Sequence, residues 1–327
     1  MQARGPFRLG TRGSPLALAQ ARELRARLAA AHADLAAEDA VEIVVIKTTG
    51  DKVQDRTLAE IGGKGLFTKE IEDALGDGRI DAAVHSMKDV PTWLPEGLII
   101  AAVLPREDPW DVLLAAGAAG LAALPRGAVV GTASLRRQAQ VLLARPDLKV
   151  VPLRGNVATR LRKLRSGEVD ATLLALAGLR RLNLAQAAAE STVLGPEEML
   201  PAAAQGAIGV EIRADDARAR EVISAVDHEP SATCVTAERA CLEVLDGSCR
   251  TPIAALAEIA DGDVRLRALV AMPDGSRAHR AERRGTQAEA AALGRAVGAE
   301  LRAAAGAAFF AALADAAPMA AGTGTGR

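Results

Sequence analysis

The chain has 327 residues, with 40 Lys and Arg against 41 Asp and Glu, and half of its residues are apolar. This is the composition of a globular protein, and its length favours two or three domains over a single core. The balanced charge argues against a strongly basic nucleic-acid binder, no segment has the uniform apolar length of a membrane span, and the first residues lack a secretory signal, so we expect a cytoplasmic protein.

Short apolar strands alternate with helices in the first part of the chain. Strands are predicted over 7–10, 41–47, 81–85 and 98–104, and helices after Ser14-Pro15 and over 66–75. Ser is favoured at a helix N-cap and Pro at the first helical position. This βαβ order predicts a sheet with helices on both faces.

A second unit repeats this order after a break near residues 106–109. Strands are predicted over 128–131, 149–153 and 171–176, and helices over 134–144 and 157–166. A further strand over 207–212 is expected to return to the first sheet. Two such lobes leave a cleft between them, where helix N-termini converge.

The last third of the chain has a different pattern. A helix over 231–245 precedes strands over 252–259, 263–272 and 277–284, joined by turns at Asp261-Gly262 and at 273–275, and a helix over 287–313 follows. This predicts a small α+β domain with an antiparallel three-stranded sheet. The predicted division is therefore 1–105 with 206–226, then 106–205, then 227–317, with a disordered tail over 318–327.

Basic residues recur where strands meet loops or helices. There a cation is combined with free backbone N–H groups and the positive end of a helix dipole. The positions are Arg12 before Ser14, Lys64 in a glycine loop, Arg136 and Arg137 after Thr132 and Ser134, and Arg154-Gly155 before Arg160. These basic positions predict that the cleft binds a polyanionic ligand. Arginine and lysine side chains bind carboxylates as well as phosphates, so either group fits. The alternative is that each cation only solvates the end of its element.

Asp89 follows directly on the strand predicted over 81–85, where α/β sheets place their sites. A cationic cleft favours its ionised form. An ionised carboxylate there accepts N–H bonds from a substrate and stabilises developing positive charge. The alternative is a turn Asp before a Pro.

The chain has three Cys, and the odd number argues against a disulfide framework. Cys249 lies in a loop of small residues, where it is accessible as a nucleophile or an attachment point; the alternative is an inert loop residue. Cys234 and Cys241 share a helix face and are expected to be buried. The four His are far apart, so we expect no metal site.

Motifs in chain order identify a resemblance to the porphobilinogen deaminase family. They cover nearly the whole chain and read TRGSPLALAQA, TTGDK, GGKGLFTKEIE, DAAVHSMKDVP, REDPWDVL, GTASLRRQAQ, LRGNVATRLRKL, AGLRRL, LPAAAQGAIGVE and ERACLEVLDGSCRTPI. The resemblance implies two lobes like type II periplasmic binding proteins and a third domain with a cysteine loop. It also implies a monomer acting on the small molecule porphobilinogen.

The resemblance further implies the chemistry. A dipyrromethane cofactor is attached through a thioether to Cys249, and four porphobilinogen molecules are added in turn, each losing ammonia, to give hydroxymethylbilane. Asp89 holds the pyrrole N–H groups and stabilises the cationic azafulvene. The implied carboxylate-binding positions are Arg12, Ser14, Lys88, Ser134, Arg136, Arg137, Arg154, Arg160 and Arg181.

Other positions in the same motifs complete the expected site. Lys64 lies in a mobile loop over the cleft, Gln205 is near the cofactor, and Ser86, Thr132 and Gly155 contribute to binding. The chain departs from the family in three places. Ser248 replaces a common Gly, Cys241 is a second thiol, and Ala204 occupies a place often held by Gly, where it would stiffen the hinge.

Two other classes of function fit part of the pattern. A binding protein that captures a carboxylated ligand would explain the cleft cations without needing Asp89 or Cys249. A Schiff-base enzyme using Lys88 or Lys64 would need a lysine of lowered pKa, although carboxylate binding explains these lysines more simply.

Overall fold

The computed structural model describes residues 5–49, 68–115, 117–245 and 251–316, which form three sheets with their helices. Elements are numbered in chain order. The first lobe comprises β1 (Phe7–Arg12), α1 (Pro15–Ala31), β2 (Val41–Ile46), α2 (Lys69–Gly76), β3 (Ala82–Ser86), β4 (Leu98–Val103), β10 (Ile208–Arg213) and α7 (Ala217–Ser224). Helix α1 begins as predicted, because the Ser14 Oγ accepts a hydrogen bond from the Ala17 N–H at 3.2 Å.

The first sheet has the strand order β2-β1-β3-β10-β4. Strand β1 is parallel to β2 and β3, whereas β10 is antiparallel to β3 and β4. The expected return of the chain to this sheet is therefore confirmed. Because β1 and β3 are parallel neighbours, their carboxyl ends, at Arg12 and Ser86, lie at the same edge of the sheet.

The second lobe repeats this arrangement. It comprises β5 (Asp111–Ala115), β6 (Val129–Gly131), α3 (Leu135–Ala144), β7 (Lys149–Val151), α4 (Val157–Arg165), β8 (Ala171–Ala175), α5 (Leu176–Arg181), α6 (Ala185–Ala189) and β9 (Thr192–Leu194). Its sheet has the order β7-β6-β8-β5-β9, with β6 parallel to β7 and β8, and with β5 antiparallel to β8 and β9. Strands β5 and β9 were not predicted; β5 begins with a charged residue, and β9 is a short strand at the edge of the sheet.

The third sheet is antiparallel and has the order β11-β12-β13. The C-terminal domain comprises α8 (Glu229–Val244), β11 (Ile253–Ala260), β12 (Asp263–Ala271), β13 (Ala278–Thr286) and α9 (Ala290–Asp315). Asp261 and Gly262 both have positive φ and form the predicted two-residue turn between β11 and β12. The predicted fold class, two α/β lobes with a small α+β domain, is confirmed. The predicted tail over 318–327 lies outside the described residues.

Helix α8 begins two residues earlier than predicted. Ser231 was expected to start the helix, but the His228 side chain caps it by accepting a hydrogen bond from the Ser231 N–H at 3.3 Å. Helix α9 packs closely on α8. A Cβ added at Gly294 would lie 2.2 Å from the Ala237 carbonyl oxygen, so only glycine permits this approach.

Helix α9 belongs to a segment, Gln287–Asp315, that is long and apolar enough by length and composition to cross a membrane. Its buried residues include Leu293, Val297, Leu301 and Phe309, which belong to the apolar core beside the third sheet. Many of its remaining residues are alanines. Packing against the C-terminal domain therefore accounts for these four side chains, whereas only 22% of the apolar window of the segment is buried.

Ala204 has a φ of 59°, in the left-handed region that costs a residue with a side chain about 1–2 kcal/mol. It lies just before the chain returns to the first sheet, and its N–H donates to the Glu238 Oε2 at 2.5 Å. The common family residue, Gly, would adopt this conformation without strain. The departure at Ala204 therefore falls on a position whose backbone favours glycine.

Candidate active site

A cavity lies at the edge of the first sheet where β1 and β3 end. Its lining includes Arg12, Ser14, Gln20, His85, Ser86 and Asp89. Asp89 closes a 3₁₀ turn, Met87–Asp89, that directly follows β3. Four of the residues predicted from separate motifs are thus brought together here: Arg12, Ser14, Ser86 and Asp89.

The Gln20 side chain was not predicted to belong to this site. Its Nε2 donates a hydrogen bond to the Ser86 Oγ at 2.8 Å, and Gln20 is buried on α1. The motif around Ser14 contains Gln20, but a lone Gln in a helix carries no chemical signal. Its position one and a half turns after the Ser14 cap is what brings it to the cavity.

A buried hydrogen-bonded pair of polar side chains lies beside the same cavity. The His85 Nε2 is 2.9 Å from the Glu211 Oε2, and both side chains are almost wholly buried. Within the part of the chain that the structure describes, the Glu211 Oε1 has no hydrogen-bond partner. This pair was missed because its members lie 126 positions apart, on β3 and β10.

The second lobe contributes a cluster of cations around the buried carboxylate of Asp111. The Arg136 Nη1 lies 2.6 Å from the Asp111 Oδ2, and the Arg137 Nη2 lies 2.7 Å from the Oδ1. Burial alone would raise the pKa of Asp111, but the two guanidinium groups hold it well below its usual range. Burial also lowers the pKa of Arg136. Asp111 thus orients both predicted cations and offsets part of their charge.

Gln205 joins this cluster to Lys88 of the first lobe. Its Nε2 donates to the Asp111 Oδ1 at 3.1 Å, and its Oε1 accepts from the Lys88 Nζ at 3.2 Å. The pKa of Lys88 is lowered to about 8, chiefly by burial; Asp89 opposes this shift and Arg137 adds to it. Lys88, Asp89 and the Asp111 cluster therefore interact across the two lobes.

The N-terminus of α4 carries two further predicted cations. Gly155 has a φ of 113°, and a Cβ there would lie 2.7 Å from the Thr159 side chain, so only glycine fits. The Arg160 Nε donates to the Gly155 carbonyl at 2.9 Å. The pKa of Arg160 is lowered to about 10, chiefly by burial and in part by Arg137 and Arg154, whereas Asp89 opposes the shift. Asp89 and Arg160 are thus electrostatic neighbours.

Arg154 contributes an unsatisfied donor to this group. Its Nη1 is buried, and no hydrogen-bond partner for it is found among the described residues. An unpaired buried donor costs about 1–3 kcal/mol, more when charged. A ligand carboxylate is the chemical group that such a donor fits.

Thr132 and Ser134 shape the start of α3. The Ser134 Oγ accepts from the Arg137 N–H at 3.4 Å, and the Ser134 N–H donates to the Thr132 Oγ1 at 3.2 Å. These contacts orient the backbone from which Arg136 and Arg137 project. Their predicted role in ligand binding stays a prediction.

Arg181 has partners of a different kind. Its Nε lies 3.1 Å from the Glu23 Oε2 on α1, and its Nη1 donates to the Gly206 carbonyl at 2.9 Å. Arg181 therefore links α5 to the first lobe close to Gln205. Its predicted contact with ligand carboxylates stays a prediction.

The described thiols are buried. Burial raises the pKa of Cys234 to about 11 and that of Cys241 to about 12. Since the thiolate is the reactive form, both are poor nucleophiles. Cys249 and Lys64 lie outside the described residues. Across the described ranges, no group of three or more His, Cys, Asp or Glu is placed to hold a metal ion.

The geometry suits a ligand with several carboxylates. Lys88 and Arg160 are electrostatic neighbours of Asp89, and Arg137 and Arg154 are in turn neighbours of Arg160. The only carboxylate bonded to Arg137 in the described part of the chain is that of Asp111. Charge-assisted hydrogen bonds to carboxylates are stronger than neutral ones. Asp89 then remains available to accept hydrogen bonds from N–H groups of the same ligand.

Comparisons with known proteins give the same family name for both matched parts of the chain. Residues 7–221 match the family model "Porphobilinogen deaminase, dipyromethane cofactor binding domain", and residues 232–303 match "Porphobilinogen deaminase, C-terminal domain". The chloroplastic porphobilinogen deaminase of Oryza sativa subsp. japonica is 58% identical over 307 residues, covering 93% of this chain and 85% of that protein. The porphobilinogen deaminase of Paracoccus denitrificans is 58% identical over 305 residues, covering 93% and 96%.

More distant similarity is found among solved structures. A periplasmic binding protein from Brucella ovis with glutathione bound gives a TM-score of 0.41 at 16% identity, covering 75% of this chain and 70% of that one. An ancestral arginine-binding protein bound to arginine gives 0.38 at 17% identity, covering 68% and 91%.

Proposed function

The chain belongs to the porphobilinogen deaminase family, and we propose from this premise which of its residues carry the reaction. The enzyme condenses porphobilinogen molecules head to tail on a covalent dipyrromethane cofactor, with release of ammonia, and yields linear hydroxymethylbilane for tetrapyrrole synthesis. Family membership thereby decides against the binding-protein and Schiff-base alternatives.

Asp89 is the catalytic carboxylate in this proposal. It accepts the N–H of the substrate pyrrole and stabilises the positive charge that develops on the ring as ammonia leaves. The observation that carries the proposal is the position of Asp89 in the lining of the cavity where β3 ends, together with Arg12 and Ser14. Lys88 and Arg160 are electrostatic neighbours of Asp89, and these cations bind acidic side chains of the substrate beside it.

The cleft cations hold the acetate and propionate groups of the substrate and of the cofactor. The unpartnered Nη1 of Arg154 fits this requirement, as does the position of Arg160 next to Asp89. Lys88, Arg137, Arg154 and Arg160 are the residues that would hold the dipyrromethane carboxylates. When bound, the cofactor supplies the acceptor pyrrole, and tethering makes the coupling effectively intramolecular.

Cys249 is the attachment residue in this proposal. Support comes from the two other thiols, which are buried and have raised pKa values. We expect the purified protein to exceed its sequence mass by two condensed porphobilinogen units. Cys249→Ser should lack this excess in an intact-mass measurement, whereas the matched variant Cys234→Ser should keep it. An adduct on Cys249→Ser would move the attachment to another cysteine.

Lys88 makes the reaction sensitive to pH. With a pKa near 8, its ammonium is charged below pH 8 and neutral above it. We expect kcat/KM for porphobilinogen to fall roughly 10- to 100-fold above pH 8, since a hydrogen bond to a charged group contributes about 1.5–3 kcal/mol. Lys88→Arg should shift this fall to higher pH, because a guanidinium stays charged.

The matched control for this pH profile is Lys69→Arg. Lys69 is exposed on α2 and pairs with Asp73 at 2.8 Å, so its exchange should leave the profile unchanged. If Lys88→Arg loses activity above pH 8 just as the unchanged enzyme does, a different group titrates and the assignment of Lys88 is wrong.

A cytoplasmic location and a monomeric state complete the proposal. The free thiols of Cys234 and Cys241 suit a reducing compartment. The monomeric state is what the resemblance to the family implies.

A further inference from the structure

The Arg239 side chain crosses from the C-terminal domain to the first lobe. Its Nη1 donates to the Val90 carbonyl at 3.0 Å, and its Nη2 donates to the Pro91 carbonyl at 2.5 Å. These two carbonyls belong to the residues that directly follow Asp89. A residue of α8 therefore holds the backbone at the exit of the turn that carries the proposed catalytic carboxylate.

The entrance of the same turn is held by the first lobe. The Met87 N–H donates to the Ala207 carbonyl at 3.0 Å, and the buried Met87 side chain packs over Gly209 on β10. The Val90 N–H closes the turn on the Met87 carbonyl at 3.2 Å. Asp89 thus lies between an anchor from its own lobe and an anchor, Arg239, from another domain.

The charge on Arg239 is not used in a direct ion pair within the described part of the chain. Burial lowers its pKa, and Glu211 and Glu243 raise it only through their charge at a distance. Among the described residues, both of its hydrogen bonds go to backbone carbonyls. The planar fork of a guanidinium presents parallel N–H groups to two neighbouring acceptors, a geometry that a lysine ammonium does not reproduce.

We propose that Arg239 is a positioning residue: it ties the placement of Asp89 to the docking of the C-terminal domain on the first lobe. The inference rests on the proposed role of Asp89. Apolar contacts reinforce the junction, since Val235 of α8 belongs to the same buried cluster as Met87 and Val90. Apolar contacts do not impose an orientation on the groups they join. The two hydrogen bonds from Arg239, by contrast, fix the orientation of the peptide groups after Asp89.

The first test compares Arg239→Met and Arg239→Lys in the cofactor-loaded enzyme. We expect Arg239→Met to lower kcat at least tenfold, because a small misplacement of a catalytic group costs up to roughly 100-fold. The KM for porphobilinogen should stay within about twofold, since the cleft cations are untouched. Arg239→Lys should be intermediate, and it carries the test if the Met variant does not fold. Arg283→Met, at an exposed arginine of the same domain paired with Glu300, should leave kcat unchanged.

The second test is a double-mutant cycle with Asp89→Glu, which keeps a carboxylate but moves it. If Arg239 acts through Asp89, adding Arg239→Met to Asp89→Glu should change kcat by no more than about twofold. Effects that multiply in full, an unchanged kcat in Arg239→Met, or a large rise in KM would each overturn the inference. If Asp89→Ala itself keeps normal turnover, the proposed role of Asp89 fails instead.

Discussion

Asp89→Ala is expected to lower the turnover of porphobilinogen by two or more orders of magnitude while the protein remains folded. Losing one preorganised group that stabilises transition-state charge costs roughly 100- to 1,000-fold in kcat. Asp89 lines the cavity, and Lys88 and Arg160 are its electrostatic neighbours. Without it, nothing offsets the positive charge that develops on the pyrrole as ammonia leaves. The measurement is the rate of ammonia release, with thermal unfolding to confirm the fold.

Two variants sharpen this prediction. Asp89→Asn keeps the shape and one acceptor oxygen but removes the charge, so a loss close to that of Asp89→Ala would identify the charge as the active feature. Asp34→Ala removes an exposed aspartate from the first lobe and should leave turnover unchanged. Near-normal ammonia release by Asp89→Ala would refute the catalytic role.

Asp111→Ala is expected to lower the free energy of unfolding by about 3–5 kcal/mol, the usual cost of breaking a buried ion pair by removing one partner. Asp111 is wholly buried and bonds the guanidinium groups of Arg136 and Arg137. Its removal leaves these two cations, with Lys88 nearby, without an anion. Denaturant unfolding of the purified variant measures the loss.

The matched control for Asp111 is Asp147, which also pairs with an arginine. The Arg145 Nε lies 2.8 Å from the Asp147 Oδ1, but both side chains are partly exposed. Asp147→Ala should therefore destabilise the protein far less, because solvent screens an exposed pair and solvates the partner left behind. Equal losses in the two variants would show that the Asp111 cluster is no more than an ordinary surface pair.

Residues at strand ends were predicted well from the sequence. Arg12 and Asp89 were singled out because they stand at the ends of predicted strands, and Ser86 because the family resemblance implies it. The structure places all three in the lining of one cavity, and their roles there stay predictions. The physical reason is local. A buried strand is apolar along its length, and its carboxyl end is where polar side chains reach a cleft.

Residues whose role depends on distant partners were not predicted. Asp111 pairs with residues 25 and 26 positions away, His85 with one 126 positions away, and Arg239 with carbonyls 148 and 149 positions away. No spacing rule links such positions. Because Asp and Arg are mostly exposed in proteins, the sequence alone predicts a solvent-exposed side chain at each such position.

The amino-acid sequence by itself determined most of the elements, the two-lobed α/β organisation, the burial of Cys234 and Cys241, and the motifs with their candidate residues, because helical and strand periodicity, caps and turns depend on a few neighbouring positions. The tertiary structure alone decided that strands β5 and β9 complete the second sheet, that Asp111 orients Arg136 and Arg137, and that Arg239 holds the backbone after Asp89. Charge pairing depends on which distant side chains pack against one another, so it is fixed only when the two lobes and the C-terminal domain pack together.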